Sequence, residues 1–149
     1  MEIQPHKTEY MVPLKRYVLL GEDDEDDLAF FKEAFTSRYP HVDILHFDNG
    51  RELFDFLTTC PSDSLPDFLL LDNLMPMMSA MDILKALEKQ SRFEKMVKAV
   101  WSTLALPPDQ EQFSELGCSY YFDKPVGKKD WYSLASAVGF HFELKATGS

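Results

Sequence analysis

Residues 17–27 read Tyr17-Val18-Leu19-Leu20-Gly21-Glu22-Asp23-Asp24-Glu25-Asp26-Asp27, a short apolar run that ends in six consecutive acids. A segment this brief and this uniformly apolar reads as a strand buried on both faces, since a strand covered on one face alternates and a helix needs more length. Four further runs share its character: Val42 to Phe47, Phe68 to Leu71, Ala99 to Ser102 and Tyr120 to Phe122, each bounded by acids, Gly or Pro. Between the runs the apolar spacing changes to three and four: Leu28, Phe31, Phe35; Leu53, Phe56, Leu57; Met81, Leu84, Leu87; and Trp131, Leu134, Ala135, Val138. That spacing gathers side chains on one face of a helix. The segment Pro108 to Leu116 is the weakest helix, with Phe113 and Leu116 as its large apolar residues, yet Pro108 at its start and Gly117 beyond its end punctuate it.

Strand and helix thus alternate five times, which requires right-handed crossovers and a parallel sheet covered on both faces. The expected architecture is α/β, a doubly wound five-stranded parallel sheet in three layers. The expected organisation is a polar N-terminal extension over 1–16, one folded domain over 17–144 and a tail over 145–149. The chain has 149 residues, 45% of them hydrophobic, enough for one real core, and 15 Lys+Arg stand against 25 Asp+Glu, a net charge of -10. That charge disfavours nucleic acid and anionic membranes and favours a cation or a basic partner. Cys60 and Cys118 are far apart, with no CxxC spacing, so neither a disulfide framework nor a zinc site is expected. The first sixteen residues lack the apolar core of a signal peptide, and no apolar stretch nears the roughly 20 residues of a membrane span, so a cytoplasmic location is expected.

In a doubly wound sheet the functional crevice lies at the carboxyl ends of the strands. Acids at a helix N-terminus are favoured by its dipole, which accounts for part of the acidic run. Glu22 and Asp23 precede the helix, where their like charges repel unless a cation joins them, and a hard oxygen-seeking ion such as Mg²⁺ resolves the conflict. The third strand ends in Leu71-Asp72-Asn73-Leu74-Met75-Pro76, adding a third carboxylate that can act as a nucleophile toward phosphorus. The fourth ends in Trp101-Ser102-Thr103 and the fifth in Phe122-Asp123-Lys124-Pro125, a hydroxyl and an ammonium suited to phosphoryl oxygens.

With Glu22-Asp23, the Asp72-x-x-Met75-Pro76 segment, Ser102 after an apolar strand, Gly117 in its turn and Lys124-Pro125, the chain over about residues 17–142 resembles a receiver domain of the two-component response regulators, the CheY-like family. The resemblance implies a (βα)5 flavodoxin-like sandwich. It implies that Asp72 accepts a phosphoryl group from a sensor histidine kinase or a histidine phosphotransfer protein, and that Asp23, Asp72 and the backbone carbonyl of Leu74 hold Mg²⁺, with Glu22 acting through water. By the same resemblance Lys124 pairs with the phosphoryl oxygens, Ser102 moves inward to bond one of them, and Tyr121 follows that movement. Leu74 and Leu104 would flank the path of the hydrolytic water, implying slow self-dephosphorylation.

Two departures stand out. Met77, Met78, Ser79 and Ala80 occupy a loop where receivers often carry Gly-x-Asp-Gly, which matters because Gly tolerates backbone angles that Met and Ala resist. Gly21 replaces the β-branched residue usual before the acid pair, loosening the first strand.

An aspartyl phosphatase would want an acid at Leu74, and a flavodoxin-like electron carrier would want a Ser/Thr/Gly-rich loop where the acids stand. No Walker or GxGxxG loop supports nucleotide binding. The serious alternative is a protein-interaction module that works unphosphorylated, whose mark would be loss of Asp72, Lys124 or the acid pair, and all are present. After Pro125 one helix is expected, Lys128 to about Leu144, so the chain is expected to be a single-domain regulator, not an enzyme in its own right, monomeric or weakly dimeric, that signals by docking to a downstream protein.

Overall fold

A computed structural model describes residues 16–103 and 107–148. The expected N-terminal extension, apart from Arg16, lies outside the described residues, as does Leu104. Five strands, β1 (Tyr17–Gly21), β2 (Asp43–Phe47), β3 (Phe68–Asp72), β4 (Val97–Ser102) and β5 (Tyr120–Asp123), alternate with five helices, α1 (Glu25–Arg38), α2 (Gly50–Thr59), α3 (Ala80–Glu88), α4 (Pro107–Glu115) and α5 (Lys128–Gly148). All neighbouring strands pair in parallel, in the order β2-β1-β3-β4-β5. The doubly wound α/β sheet is therefore as expected.

The side-chain alternation of the central strands divides the core into two layers. Tyr17, Leu19, Leu69, Leu71 and Val100 face α2 and α3, with Phe113 of α4. Val18, Leu20, Phe68, Leu70, Ala99 and Trp101 face α1 and α5. Both faces of β1 and β3 are covered, which is why these strands read as unbroken apolar runs.

Two strands differ from the sequence reading. β2 and β5 are not buried on both faces: most of β2 is half-buried, and no residue of β5 is fully buried. Each lies at a sheet edge, with a paired neighbour on one side only. β4 begins earlier than the expected Ala99, because Lys98 hides inside it. The Lys98 side chain is buried, and Nζ donates to the carbonyls of Phe93 (2.6 Å) and Met96 (3.0 Å), which offsets the cost of covering its charge. Burial lowers its pKa.

Three backbone bonds continue the ladders beyond the strands and place the crevice residues. Glu22 N–H donates to Phe47 O (3.1 Å), Asn73 N–H to Trp101 O (2.9 Å) and Lys124 N–H to Ser102 O (2.9 Å). The chain winds from β1 outward to β2, then crosses to β3, so the carboxyl ends of β1 and β3 flank the switch point of the sheet.

The loop after β3 closes against the core. Met75 fills the space left by Gly21, where a Cβ would stand 2.7 Å from its Sδ. A Cβ on Gly50 would meet Met78 O at 1.8 Å, and Gly50 N–H donates to Pro76 O at 3.1 Å, so α2 and this loop touch backbone to backbone. Met77 takes φ 72°, and Met78 N–H reaches back to Pro76 O (2.8 Å), a tight turn on the left-handed side. A non-glycine residue there stores strain.

Since Met77 is 75% exposed and contributes little burial, Met77→Gly relieves that strain and raises unfolding free energy by about 0.5–1 kcal/mol. Gly50→Ala forces the loop away from α2 and costs about 2–3 kcal/mol. Urea denaturation of both variants checks the opposite signs.

Candidate functional site

The six acids after β1 divide into distinct tasks. Asp24 is the N-cap of α1, its Oδ1 accepting from the backbone N–H of Asp26 (2.9 Å) and Asp27 (3.0 Å). Glu25, Asp26 and Asp27 occupy the first turn, where the helix dipole favours anions. Glu22 and Asp23 lie ahead of the cap, in the crevice.

Glu22 is 1% exposed, unusual for a carboxylate. Its Oε2 accepts from Asp24 N–H (2.9 Å), and its Oε1 lies 2.9 Å from Lys124 Nζ. His46 on β2 donates from Nε2 to the Glu22 carbonyl at 2.7 Å, fixing the backbone. Burial pushes the Glu22 carboxyl up to about 8, against the opposing pull of the Asp24 N–H and the Lys124 ammonium. Asp72, 6% exposed, ends β3; Oδ1 accepts from Leu74 N–H (3.2 Å), and Oδ2 lies 3.3 Å from Lys124 Nζ. Asp23 is exposed; desolvation and the neighbouring Asp72 raise its pKa. Carboxylate oxygens of Glu22, Asp23 and Asp72 all lie within 4.8 Å of one another, a donor set of hard oxygens suited to a divalent cation.

Lys124 joins the group from β5. Besides Glu22 and Asp72, its Nζ meets Asp27 Oδ2 at 2.9 Å. Burial works against its charge, but the bonds to Glu22 and Asp27 and the charge of Asp72 outweigh it and hold the ammonium well above the ordinary lysine range. The Trp101 ring lies 5.4 Å from Nζ, a cation–π contact, and Trp101 in turn meets Trp131 edge-on at 5.8 Å.

Ser102 is buried at the end of β4. Tyr121 on β5 packs its ring 5.5 Å from Phe113 of α4. Its hydroxyl is buried, which raises its pKa, and the Ser102 hydroxyl opposes that shift as a neighbour. A residue at the crevice and a residue on the outer strand are thus adjacent.

The structure therefore brings together Glu22, Asp23, Asp72 and Lys124, joined by Asp27, while Ser102 and Tyr121 neighbour one another on β4 and β5. Leu74 stands at the rim, 77% exposed, while its N–H is tied to Asp72. From sequence alone Asp27 counts only as one of the acids that the helix dipole favours. Its signal was its place four residues before Phe31, which puts both on one face of α1. The Trp101 platform was likewise hidden, since an aromatic on an apolar strand reads only as core.

Comparison with solved structures identifies the architecture. A phosphorylated cyanobacterial phytochrome response regulator, RcpA, superposes with a TM-score of 0.75 at 19% identity, covering 83% of this chain and 91% of that one. The fold is that of a response-regulator receiver domain. The Mn²⁺-bound form of the response regulator Rcp1 gives a TM-score of 0.74 at 20% identity, over 84% of this chain and 92% of its own. In sequence, the polar-differentiation response regulator DivK of Brucella anthropi is 24% identical over 113 residues, 76% of this chain and 87% of that protein. DivK of Brucella ovis is 23% identical over the same length. No family model matches the chain. No described helix is long and apolar enough to cross a membrane.

Within this receiver fold, a divalent cation entering the carboxylate cluster displaces charge beside Lys124 and so perturbs the indole beneath it. Titration with Mg²⁺ or Mn²⁺ is expected to change the intrinsic tryptophan emission, and Asp23→Ala to weaken the response. Because burial raises the Glu22 pKa, protons compete with a cation for its carboxylate, so cation affinity rises as pH climbs from about 6 to about 8. The same shift makes the cation-free fold lose stability as pH rises from the ordinary 4.5 through about 8. Metal titrations across that range, read by fluorescence, check the sign.

Proposed function

We propose that the protein is a response regulator that accepts a phosphoryl group on Asp72. The observation that carries this reading is the buried Lys124 ammonium held among Glu22, Asp27 and Asp72, with Asp23 beside them. A carboxylate nucleophile needs an adjacent positive charge to take up the oxygens of an incoming phosphoryl group, and Lys124 sits 3.3 Å from Asp72 Oδ2. A sensor histidine kinase or a histidine phosphotransfer protein would present a phosphohistidine. An Asp72 oxygen would form the new O–P bond while the P–N bond breaks, the imidazole leaving with the electron pair.

Asp23, Asp72 and the Leu74 carbonyl would hold Mg²⁺, with Glu22 acting through a water. When bound, Mg²⁺ would offset the repulsion between the nucleophile and the phosphoryl oxygens. Glu22, with Oε1 on Lys124 and Oε2 on the Asp24 N–H, is placed to orient the lysine. That Rcp1 is described as Mn²⁺-bound and RcpA as phosphorylated supports the reading for this fold.

Ser102 would hydrogen-bond one phosphoryl oxygen, and Tyr121 would follow it inward. The α4 helix, whose buried Phe113 packs on Tyr121, would then shift and change the docking surface offered to a downstream protein. Phe30 and Val126 line one exposed surface pocket between α1 and the loop after β5, which fits a protein partner rather than nucleic acid or a membrane. We place the receiver domain at 17–144, in the cytoplasm, monomeric or weakly dimeric. The retained acid pair, Asp72 and Lys124 weigh against a module that works unphosphorylated.

Incubation with acetyl phosphate and Mg²⁺ is expected to add one phosphoryl group, located on Asp72 by mass spectrometry. Asp72→Asn and excess chelator are each expected to abolish it. Labelling that persists in the variant would refute the assignment.

A further inference from the structure

Asp27 lies on α1, whose N-cap Asp24 fixes the first turn and whose Phe31, four residues on, packs edge-on to Trp101 at 5.8 Å. That anchoring turns the Asp27 carboxylate toward the crevice, where its Oδ2 lies 2.9 Å from Lys124 Nζ. An ammonium has three N–H donors. Nζ donates to Asp27 at 2.9 Å and to Asp72 at the longer distance of 3.3 Å, while Glu22 Oε1 faces it at 2.9 Å as an ion-pair partner. The two short contacts come from different elements, the loop after β1 and helix α1, and pull the ammonium away from a tight pair with the nucleophile.

We infer that Asp27 is a positioning residue for phosphorylation: it holds Lys124 so that its remaining donor meets the phosphoryl oxygens instead of collapsing onto Asp72. The inference rests on the proposed role of Asp72 and adds to it a residue that touches neither the phosphoryl group nor the nucleophile. Without the Asp27 charge, Lys124 settles closer to Asp72, quenches its nucleophilicity and leaves the position that the incoming oxygens require. A general effect of charge would act in the opposite direction, since removing an anion near the site eases the approach of an anionic donor. The sign of the rate change therefore separates the two.

The experiment is phosphorylation of the full chain by acetyl phosphate at saturating Mg²⁺, followed by mass spectrometry over time and over donor concentration. Asp27→Asn is expected to lower the maximal rate about fivefold while the half-saturating donor concentration stays equal or falls. Asp27→Glu, which restores the charge, is expected to recover most of the rate. A maximal rate in Asp27→Asn equal to or above that of the parent overturns the inference. So does a fall in rate that Asp27→Glu fails to recover, which would mark a structural role of the helix turn. If the parent itself gains no phosphoryl group on Asp72, the proposed function fails and this inference with it; a phosphorylated parent with an unaffected Asp27→Asn variant removes the inference alone.

Discussion

One ammonium, that of Lys124, is the charge on which the crevice depends. Its side chain is 9% exposed, and it faces the carboxylates of Glu22, Asp27 and Asp72. Burying any of these acids alone would be costly, and Glu22 shows the cost directly in its raised pKa. With one cation among several anions the cluster is under-neutralised. That imbalance leaves room for a second cation, and an electrophile approaching Asp72 would meet a carboxylate already beside a positive charge.

The sheet makes this arrangement possible. β1, β3 and β5 deliver Glu22, Asp72 and Lys124 from separate parts of the chain, and ladder hydrogen bonds one residue beyond the strands fix where each side chain starts. Beneath them Trp101, fully buried, supports Lys124 on its upper side and contacts Phe31 and Trp131 on its flanks, so the charged cluster stands on an aromatic floor shared by α1 and α5. The charged cluster and the core packing are therefore not separable here: a change at Trp101 moves the lysine as well as the core.

Much of this was legible in the sequence, for identifiable reasons. β1 and β3 are covered on both faces, so their residues had to be uniformly apolar, and the acids that follow them could not belong to the strands. The rest was masked by specific physics. Apolar content does not encode whether a strand lies at an edge, and so β2 and β5 passed for buried strands. Lys98 breaks the apolar pattern of β4 because its charge is met by carbonyls of the preceding turn, partners that are invisible until that turn is folded. Asp27 looked like one more dipole-favoured acid, and only the approach of β5 reveals what it touches. At the loop after β3 the absence of glycine did not prevent the tight turn; Met77 adopts it at the expense of strain.

The central claim, that Lys124 is the charge holding an under-neutralised carboxylate cluster, is tested most directly by thermal and urea unfolding of Lys124→Met with and without Mg²⁺. Methionine keeps the shape and removes the charge. The account predicts a loss of about 3 kcal/mol in the absence of Mg²⁺, and a larger stabilisation by Mg²⁺ than the parent shows, because the divalent cation then supplies the missing charge. Parent-like stability of the variant without Mg²⁺, or a Mg²⁺ effect no greater than in the parent, would contradict it.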